Sequence, residues 1–394
     1  MTTTAAEIHG HCDERFAAVR EEFARNFEER GDIGAACSII IDGEPVVDLW
    51  AGWLDEKRTR SWGRDSIINI YSIGKAMTAI AVLRLVDEGL VDLEAPAATY
   101  WPEFAAGGKA EVPVRLLLTH ETGLIAVRRP LPPGSFLDWD LMTSELAGQE
   151  PWWTPGEGHG YHTNTFGFLG GEIVRRVTGR SLGTYFREEI AELLNADLLI
   201  GFGPEYDHLT ADSIPYRGEQ DPNRRPWLDQ DPATLEGVEL GRYLAYRNPP
   251  PKEDGSTSVN SRAWRAAEYP STNPHGNARG VARLFGALAR GGELDGFRVL
   301  TEPTIDRANT IEADGEDIVL GRPTRFGLGF QLTIPGIRPL GPNPRAFGHY
   351  GASALVGFAD PDEKLGFSYV CNQAGRSWRD PRNIALIDAM YDSI

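Results

Sequence analysis

The feature that most constrains the fold of this sequence is a helix-compatible run that begins at Ser72 and ends near Gly89. Apolar residues such as Ile73, Met77 and Ile80 occur around most of its surface. A helix that is apolar on all sides has to be buried on several sides. Other elements must therefore surround this segment, and 394 residues are ample for two domains, or for one large domain with an insertion.

The segments before and after this run predict an antiparallel sheet flanked by a helix near each end of the chain. Residues 7–30 place apolar side chains at helical spacing and predict an amphipathic first helix. Residues 33–41 and 45–53 are rich in strand-forming residues and are joined by Asp42-Gly43, a strong hairpin sequence. Further along the chain we expect a helix over 277–289, strands at 326–332, 355–358 and 365–371, and a last helix over 381–391.

Between residues 96 and 274 the pattern changes to helical stretches separated by long connections rich in proline and glycine. Helices are predicted over 114–120, 165–177 and 182–194, whereas 217–258 predicts a long loop of the functional or mobile kind. We therefore expect an α+β protein. A mainly helical domain of residues 96–274 would be inserted into a discontinuous sheet domain of residues 1–95 and 275–394.

Composition and charge argue against several kinds of partner. The net charge of −18 opposes binding to nucleic acid or to anionic lipid. Cys12, Cys37 and Cys371 lack the spacing of metal ligands, so reduced, buried thiols are expected. The first residues lack the basic and apolar regions of a signal peptide, and nowhere do 18 apolar residues run together. These features predict a soluble, cytoplasmic protein without a membrane partner, and homo-oligomerisation is left open.

Ser72 and Lys75 carry the first indication of chemistry. At positions i and i+3 of a helix their side chains lie on one face and within reach of each other. A serine hydroxyl needs a base to take its proton, and a lysine whose pKa is lowered by burial can act as that base. Of five lysines, only Lys75 has a serine three residues before it. Ser-x-x-Lys is one known form of serine nucleophile, although on its own it equally fits a solvated helix surface.

Two further segments could complete a site around Ser72. Tyr161 precedes a predicted helix, and a phenol beside a lysine ammonium can ionise or relay a proton. The segment 347–352 contains Gly348 and Gly351, which let a ligand approach the backbone and leave N–H groups free for an oxyanion. Each segment also fits a structural role, as a core tyrosine with a bonded hydroxyl or as a bend at a sheet edge.

Together these segments resemble the serine β-lactamase and penicillin-binding-protein superfamily, and more narrowly its class C-like esterase branch, the family VIII carboxylesterases. Ser72-Ile73-Gly74-Lys75 looks like the nucleophile motif, Pro155-Gly156 leading to Tyr161 like the second motif, and His349-Tyr350-Gly351 like the third. Residues 117–124, Leu-Leu-Thr-His-Glu-Thr-Gly-Leu, resemble a stretch of the inserted domain in that family. The four markers occur in family order, and the match covers most of the chain.

The resemblance implies a β-lactamase-like fold and a mechanism without metal or cofactor. Ser72 would be acylated, and Lys75 and Tyr161 would share the work of general base and acid. The backbone N–H groups of Ser72 and Ala352 would form the oxyanion hole. His349 would flank the pocket near the tyrosine.

Two departures from the family pattern bear on the substrate. Thr163 stands where the second motif of the β-lactamases has Asn, and threonine lacks the carboxamide that binds an acylamino side chain. His349 and Tyr350 replace the first two residues of the Lys-Thr-Gly motif, and a histidine is mostly neutral near pH 7. Both changes weaken recognition of β-lactams and leave ester chemistry intact.

The sequence therefore predicts a serine esterase acting on small or medium carboxylic esters, with Thr163, His349, Tyr350 and Gly351 in the binding site. Aromatic residues are candidates for the pocket wall, although ordinary core residues fit equally well, and they are Trp152, Trp153, Trp227 and Tyr350. The alternatives are a β-lactamase, a D-Ala-D-Ala peptidase, an amidase or an acyltransferase with the same nucleophile. A non-catalytic binding protein is a more remote alternative.

A Ser-His-Asp hydrolase is a further competitor. Residues 351–355 approach the Gly-x-Ser-x-Gly pattern of such enzymes but lack its final glycine, so a nucleophile elbow is not supported. The sequence favours loop or capping roles for the other candidate bases, which are His120, His159, His162 and His275.

Overall fold

The computed structural model of the protein describes residues 6–218, 226–337 and 339–394. Its strands are β1 (Ile8–Cys12), β2 (Gly34–Ile41), β3 (Glu44–Gly52), β4 (Ile68–Asn69), β5 (Leu198–Leu199), β6 (His275–Gly276), β7 (Glu293–Leu294), β8 (Phe297–Arg298), β9 (Ala313–Glu316), β10 (Pro323–Phe326), β11 (Gln331–Leu332), β12 (Phe347–Tyr350), β13 (Val356–Asp360) and β14 (Leu365–Cys371). Its α-helices are α1 (Ala17–Glu28), α2 (Ile73–Asp87), α3 (Val114–Leu118), α4 (Trp139–Gly148), α5 (Phe166–Thr178), α6 (Leu182–Phe186), α7 (Gly237–Arg247), α8 (Arg262–Ala266), α9 (Ala278–Ala289), α10 (Glu302–Ala308) and α11 (Pro381–Tyr391).

One large antiparallel sheet joins the two ends of the chain. Within the described residues its strand order is β1-β3-β2-β14-β13-β12-β11-β10-β9. The β2–β3 hairpin turns at Asp42 and Gly43, both with positive φ, as two-residue hairpins of this type require. Strand β14 pairs with β2 along its whole length, from Leu365 opposite Ile41 to Cys371 opposite Ala35. The predicted antiparallel sheet with helices from both ends of the chain is confirmed.

Helices cover both faces of this sheet. A Cβ at Gly366 of β14 would lie 2.3 Å from the backbone nitrogen of Gly286, so the absence of a side chain allows α9 to pack closely. Tyr369 is three residues further on and points the other way, because alternate residues face opposite sides of a strand. Its hydroxyl donates to the buried carboxylate of Asp32, which also pairs with Arg382 of α11. Helix α11 therefore lies on the face opposite α9, and α1 packs against α11.

Helix α2 lies at the centre of the molecule, as its all-round apolar character predicts. Twelve of its fifteen residues are buried, and it packs against α5, α6 and β12. The chain enters it from β4, which belongs to a small sheet in the order β4-β6-β5. The residues at the start of α2 are thus held by a rigid element in the interior.

Two elements of the sheet differ from the sequence prediction. Residues 8–12 were predicted as helix but form β1, because they pair with residues 47–51 at the edge of β3. Gly10 has φ +104°, and a Cβ there would lie 1.9 Å from the carbonyl oxygen of Asp48. The predicted strand over 326–332 is two short strands, β10 and β11, separated by Gly329 with φ +81°.

The segment between residues 96 and 274 contains helices α3 to α8 and, within its described part, the short strand β5. The predicted long loop over 217–258 is wrong in part, since residues 237–247 form α7, and residues 219–225 lie outside the described residues. The division into two domains at residues 95 and 275 stays a prediction. Among the helices described here, none is both long and apolar enough to cross a membrane.

Candidate active site

Ser72 occupies the N-cap position of α2. The residue before it, Tyr71, has φ +50°, an unfavourable left-handed conformation for a bulky side chain. The Tyr71 hydroxyl bonds to Oγ of Ser213 at 3.1 Å, and the backbone nitrogen of Ile70 donates to the carbonyl oxygen of Pro274 at 2.7 Å. These contacts hold a strained turn immediately before the serine, and such strain is common at functional sites.

Lys75 lies one turn further along α2 and is completely buried. Its Nζ is 3.3 Å from Oγ of Ser72, and it donates to the carbonyl oxygens of Thr163 at 2.8 Å and Ser271 at 3.0 Å. The ion pairs found among the described residues include none to Lys75. Burial without a neighbouring carboxylate lowers the pKa of Lys75 well below its usual range.

The glycine between these two residues allows the 270–274 segment to approach the helix. A Cβ at Gly74 would lie 2.2 Å from the carbonyl oxygen of Pro270 and 2.3 Å from a ring carbon of Pro274. The same segment carries Ser271, whose Oγ accepts from the backbone nitrogen of Gly167 at 2.7 Å. Sequence reasoning missed Ser271 because its contribution to Lys75 is a backbone carbonyl, which any residue type can offer.

Tyr161 lies beside Lys75, with the Nζ atom 4.7 Å from the centre of its ring. The ring stacks on Phe326 at 6.0 Å between centroids and 12° between planes. His120 and His349 approach it at 5.0 Å and 6.1 Å. The structure therefore brings together Ser72, Lys75, Tyr161 and His349, which are distant in sequence.

The histidines His120 and His162 next to Tyr161 are buried and bonded to backbone or hydroxyl groups. The Nδ1 atom of His162 bonds to the carbonyl oxygen of Gly160 at 2.6 Å, and its Nε2 lies 3.2 Å from the backbone nitrogen of Leu124. Burial lowers the pKa of His162 to about 3 and holds that of His120 well below its usual range. Both rings are therefore neutral at physiological pH and connect neighbouring segments.

Thr163 and Asn164 are both engaged with α7. Oγ1 of Thr163 donates to the Tyr246 hydroxyl at 2.9 Å, and Nδ2 of Asn164 donates to the carbonyl oxygen of Ala245 at 2.8 Å. The Asn164 Oδ1 atom accepts from Oγ1 of Thr272 at 3.3 Å. Tyr246 was missed because its segment was predicted as loop. The sequence signal that could have identified Tyr246 is the moderately amphipathic pattern of residues 237–247, which form α7.

The third predicted segment forms β12 and the turn that follows. His349 faces Tyr161, and its Nδ1 donates to the carbonyl oxygen of Tyr350 at 2.6 Å. The Tyr350 side chain points to the other face of the strand, where its hydroxyl donates to the carbonyl oxygen of Pro339 and its ring packs against Trp378. Because side chains alternate along a strand, this placement does not support the prediction that the Tyr350 side chain contacts substrate, and that prediction stays untested.

The turn after β12 lies against the start of α2. A Cβ at Gly351 would be 2.8 Å from the carbonyl oxygen of Ile70, and its backbone nitrogen donates to the carbonyl oxygen of Leu355 at 2.8 Å. Ser353 and Ala354 have φ +68° and +80°. The backbone of Ala352 thus belongs to a second strained turn, one that packs beside the turn before Ser72.

The two tryptophans predicted for the pocket wall pack in one apolar cluster beside the Tyr161 segment. Trp153 packs edge-on against His162 at 6.1 Å and donates from Nε1 to the carbonyl oxygen of Gly158. Trp152 is buried in an apolar cluster with Ile125, and Trp153 packs partly buried against the same cluster. Contact of either tryptophan with substrate stays a prediction. The side chain of Trp227 lies outside the described residues. No group of metal-ligating side chains capable of holding a metal ion occurs in the described part of the chain.

Comparison with known proteins gives a consistent set of matches. Residues 23–390 match the protein family described as Beta-lactamase. The chain is 35% identical over 379 residues to the esterase/beta-lactamase LipL of Mycobacterium tuberculosis, covering 93% of this chain and 83% of that protein. A solved structure of a family VIII carboxylesterase is 40% identical with a TM-score of 0.88, covering 98% of this chain and 100% of that one. A penicillin-binding protein homologue from Caulobacter crescentus is 38% identical with a TM-score of 0.86 and the same coverage of both chains.

Proposed function

The chain belongs to the Beta-lactamase family, and we propose that it cleaves small or medium carboxylic esters through an acyl-enzyme formed on Ser72. It is a serine ester hydrolase, since relatives that match most of its length are named esterase or carboxylesterase. The catalytic proposal is carried by one observation, the buried Lys75 amine 3.3 Å from the Ser72 hydroxyl.

The contacts of Lys75 suit a neutral amine acting as a base. A neutral amine has two N–H groups and one lone pair, and two carbonyl oxygens, of Thr163 and Ser271, accept the two N–H groups. The lone pair is then left for the hydroxyl of Ser72. Burial lowers the pKa of Lys75 and so favours this neutral form.

Acylation then proceeds in two steps. Ser72 Oγ bonds to the ester carbonyl carbon while its proton moves to Nζ of Lys75, and backbone N–H groups of Ser72 and Ala352 stabilise the oxyanion. The bond to the leaving alcohol breaks, and the alkoxide takes a proton that Tyr161 relays from the Lys75 ammonium. Water, deprotonated by the same groups, hydrolyses the acyl-enzyme and restores the Ser72 hydroxyl.

The surroundings favour esters over β-lactams. The Thr163 hydroxyl is bonded to Tyr246, and the Asn164 amide is bonded to α7, so no carboxamide takes the place of the β-lactamase Asn. His349 replaces the motif lysine and is not a permanent cation. Hydrolysis of β-lactams is the second candidate, supported by two relatives whose names include a β-lactamase and a penicillin-binding protein.

A direct comparison of substrates tests this proposal. We expect p-nitrophenyl acetate and butyrate to be hydrolysed with a higher kcat/KM than a chromogenic cephalosporin. Ser72→Ala should abolish both activities while leaving the thermal unfolding temperature close to that of the wild type. Undiminished ester hydrolysis by Ser72→Ala would overturn the nucleophile assignment. Faster turnover of the cephalosporin would instead favour the second candidate.

The remaining assignments are part of the same proposal. The substrate is a small-molecule ester, and His349, Gly351, Thr163 and Trp153 border its binding site. A cytoplasmic location, the absence of nucleic-acid and membrane partners, and the oligomeric state stay predictions from sequence.

A further inference from the structure

The hairpin β9–β10 carries a buried carboxylate close to the candidate site. Asp317 follows β9 and is completely buried. Its Oδ1 accepts from the backbone nitrogens of Val319 at 2.9 Å and Leu320 at 2.8 Å, and its Oδ2 accepts from Oγ1 of Thr324 at 3.0 Å. Both oxygens also accept from the backbone nitrogen of Tyr161, at 3.1 Å and 3.2 Å. One carboxylate therefore closes the hairpin loop and fixes it to the residue beside Lys75.

The rest of the hairpin holds the same segment at three further points. The backbone nitrogen of Ile318 donates to the carbonyl oxygen of His159 at 3.0 Å. The His159 ring bonds through Nε2 to Thr324 Oγ1 at 2.9 Å, the hydroxyl that donates to Asp317. Phe326 stacks on the Tyr161 ring. Backbone and ring of Tyr161 are thus both positioned by one hairpin.

Glycines in the opposing segment permit this close approach. A Cβ at Gly160 would lie 2.8 Å from a methyl carbon of Val319, and one at Gly158 would lie 2.9 Å from the end of Ile318. The loop after Asp317 therefore packs directly on the backbone that leads into Tyr161. Any rearrangement of that loop would shift the phenol relative to Lys75.

We propose that Asp317 is a positioning residue for catalysis, which sets the location of the Tyr161 hydroxyl through the backbone of Tyr161. The inference rests on the proposed function, in which Tyr161 relays a proton. A buried carboxylate makes strong hydrogen bonds to backbone N–H groups, and displacements of about 1 Å at a reacting group can lower a rate by about 10²-fold.

A double-mutant cycle tests this role. We expect Asp317→Ala to lower kcat for p-nitrophenyl butyrate by about 10²-fold with little change in KM. Asp317→Asn keeps one acceptor oxygen and should lower kcat less, by about tenfold. In a Tyr161→Phe background, Asp317→Ala should lower kcat by less than about threefold, because residues that act as a unit are non-additive. Rates are corrected for hydrolysis by the Ser72→Ala protein.

Asp360 provides the matched control. It is also completely buried, and its carboxylate accepts from Nδ2 of Asn343, the hydroxyl of Tyr391 and the backbone nitrogen of Asp362. Asp360 is the last residue of β13. It lies about 13 Å along the strand from Val356, the residue that pairs with Tyr350. Asp360→Ala should lower the unfolding temperature and leave kcat within about twofold.

The outcomes separate the two proposals. If Tyr161→Phe retains full activity, the proton relay of the proposed function is overturned, and the role of Asp317 with it. If Tyr161→Phe is impaired but Asp317→Ala lowers kcat equally in both backgrounds, only the positioning role is overturned. The same conclusion follows if the two Asp317 variants keep the wild-type kcat. Should Asp317→Ala fail to fold, the cycle is run with Asp317→Asn.

Discussion

Two lysines in the described part of this molecule are completely buried, Lys75 beside Ser72 and Lys109 before α3. Both lie over an aromatic ring, Lys75 over Tyr161 at 4.7 Å and Lys109 over Phe104 at 5.3 Å. Both donate to backbone carbonyl oxygens. Burial lowers the pKa of each, that of Lys109 to about 8 and that of Lys75 well below its usual range.

The two lysines differ in how many backbone carbonyl oxygens accept hydrogen bonds from the amine. Lys109 donates to three carbonyl oxygens, those of Ala106, Ala147 and Gln149, which match the three N–H groups of an ammonium. Lys75 has two such carbonyls and the Ser72 hydroxyl. Burial alone therefore does not make a catalytic base. The number of backbone acceptors decides whether a lone pair is available.

The largest expected effect comes from replacing each lysine by methionine. Lys75→Met should lower kcat/KM for p-nitrophenyl butyrate by about 10³-fold or more, because the base is lost. Lys109→Met should leave kcat/KM within about threefold. It should lower the free energy of unfolding by about 1–3 kcal/mol, since three carbonyls lose a donor. Steady-state kinetics and urea unfolding of both variants provide the measurement.

Either variant can contradict the roles assigned to the two lysines. Substantial activity in Lys75→Met would show that Tyr161 or another group is sufficient as the base. An activity loss in Lys109→Met at full folding would show that this buried ammonium contributes to the site over a long distance. Either result would show that the number of backbone carbonyl acceptors does not decide which buried lysine is catalytic.

A smaller effect is expected from the glycines that bring these carbonyls into place. A Cβ at Gly74 would lie 2.2 Å from the carbonyl oxygen of Pro270, and one at Gly107 would lie 2.4 Å from that of Gln149, an acceptor of Lys109. Gly74→Ala should lower kcat by about 10- to 100-fold, because the segment carrying Ser271 has to move. Gly107→Ala should lower stability by about 1–3 kcal/mol through its positive φ and the clash, with kcat unchanged.

Kinetics and thermal unfolding of the two alanine variants decide this prediction. Equal losses of kcat would mean that the enzyme responds to general loosening rather than to the position of the 270–274 segment. Wild-type kcat in a folded Gly74→Ala protein would show that the Lys75 contacts tolerate that movement.

The sequence could predict those features of the fold and the site that depend on residues close together in the chain. Ser72 and Lys75 are one helical turn apart, and the Asp42-Gly43 turn and helix α11 are also short-range patterns; the predicted bounds of α11 agree with the structure. Residues 8–12 show the limit of such patterns. Their apolar spacing fits a helix, but pairing with β3 at the sheet edge determines their structure.

The missed part depends on contacts between residues far apart in the sequence. Ser271 accepts from Lys75 over 196 positions, and Asp317 accepts from Tyr161 over 156. In both contacts one partner is a backbone atom, so the residue type carries little information. Asp317 also follows Glu316 in an acidic stretch that looks like a solvated turn. Such residues become recognisable only when the fold brings their segments together.

The smallest effect is the pH dependence of stability that each lysine contributes. Below pH 8 the Lys109 amine is protonated in both the folded and the unfolded chain. It therefore does not contribute to the change of the free energy of unfolding with pH in that range. Between about pH 8 and the unfolded pKa of about 10.4, the unfolded chain binds a proton that the folded chain does not. The free energy of unfolding should then rise with pH by up to about 1.4 kcal/mol per unit.

Differences between wild type and variant isolate this contribution from that of other groups. The wild-type advantage over Lys109→Met should widen above pH 8. The wild-type advantage over Lys75→Met should also widen as the pH rises, because burial lowers the pKa of Lys75 as well. Ester hydrolysis, which requires neutral Lys75, should decline as the pH falls through the lowered pKa of Lys75. Parallel curves for wild type and both variants from pH 6 to pH 10 would mean that neither lysine titrates as a buried group. Acceptor number would then no longer explain why only Lys75 can serve as a base.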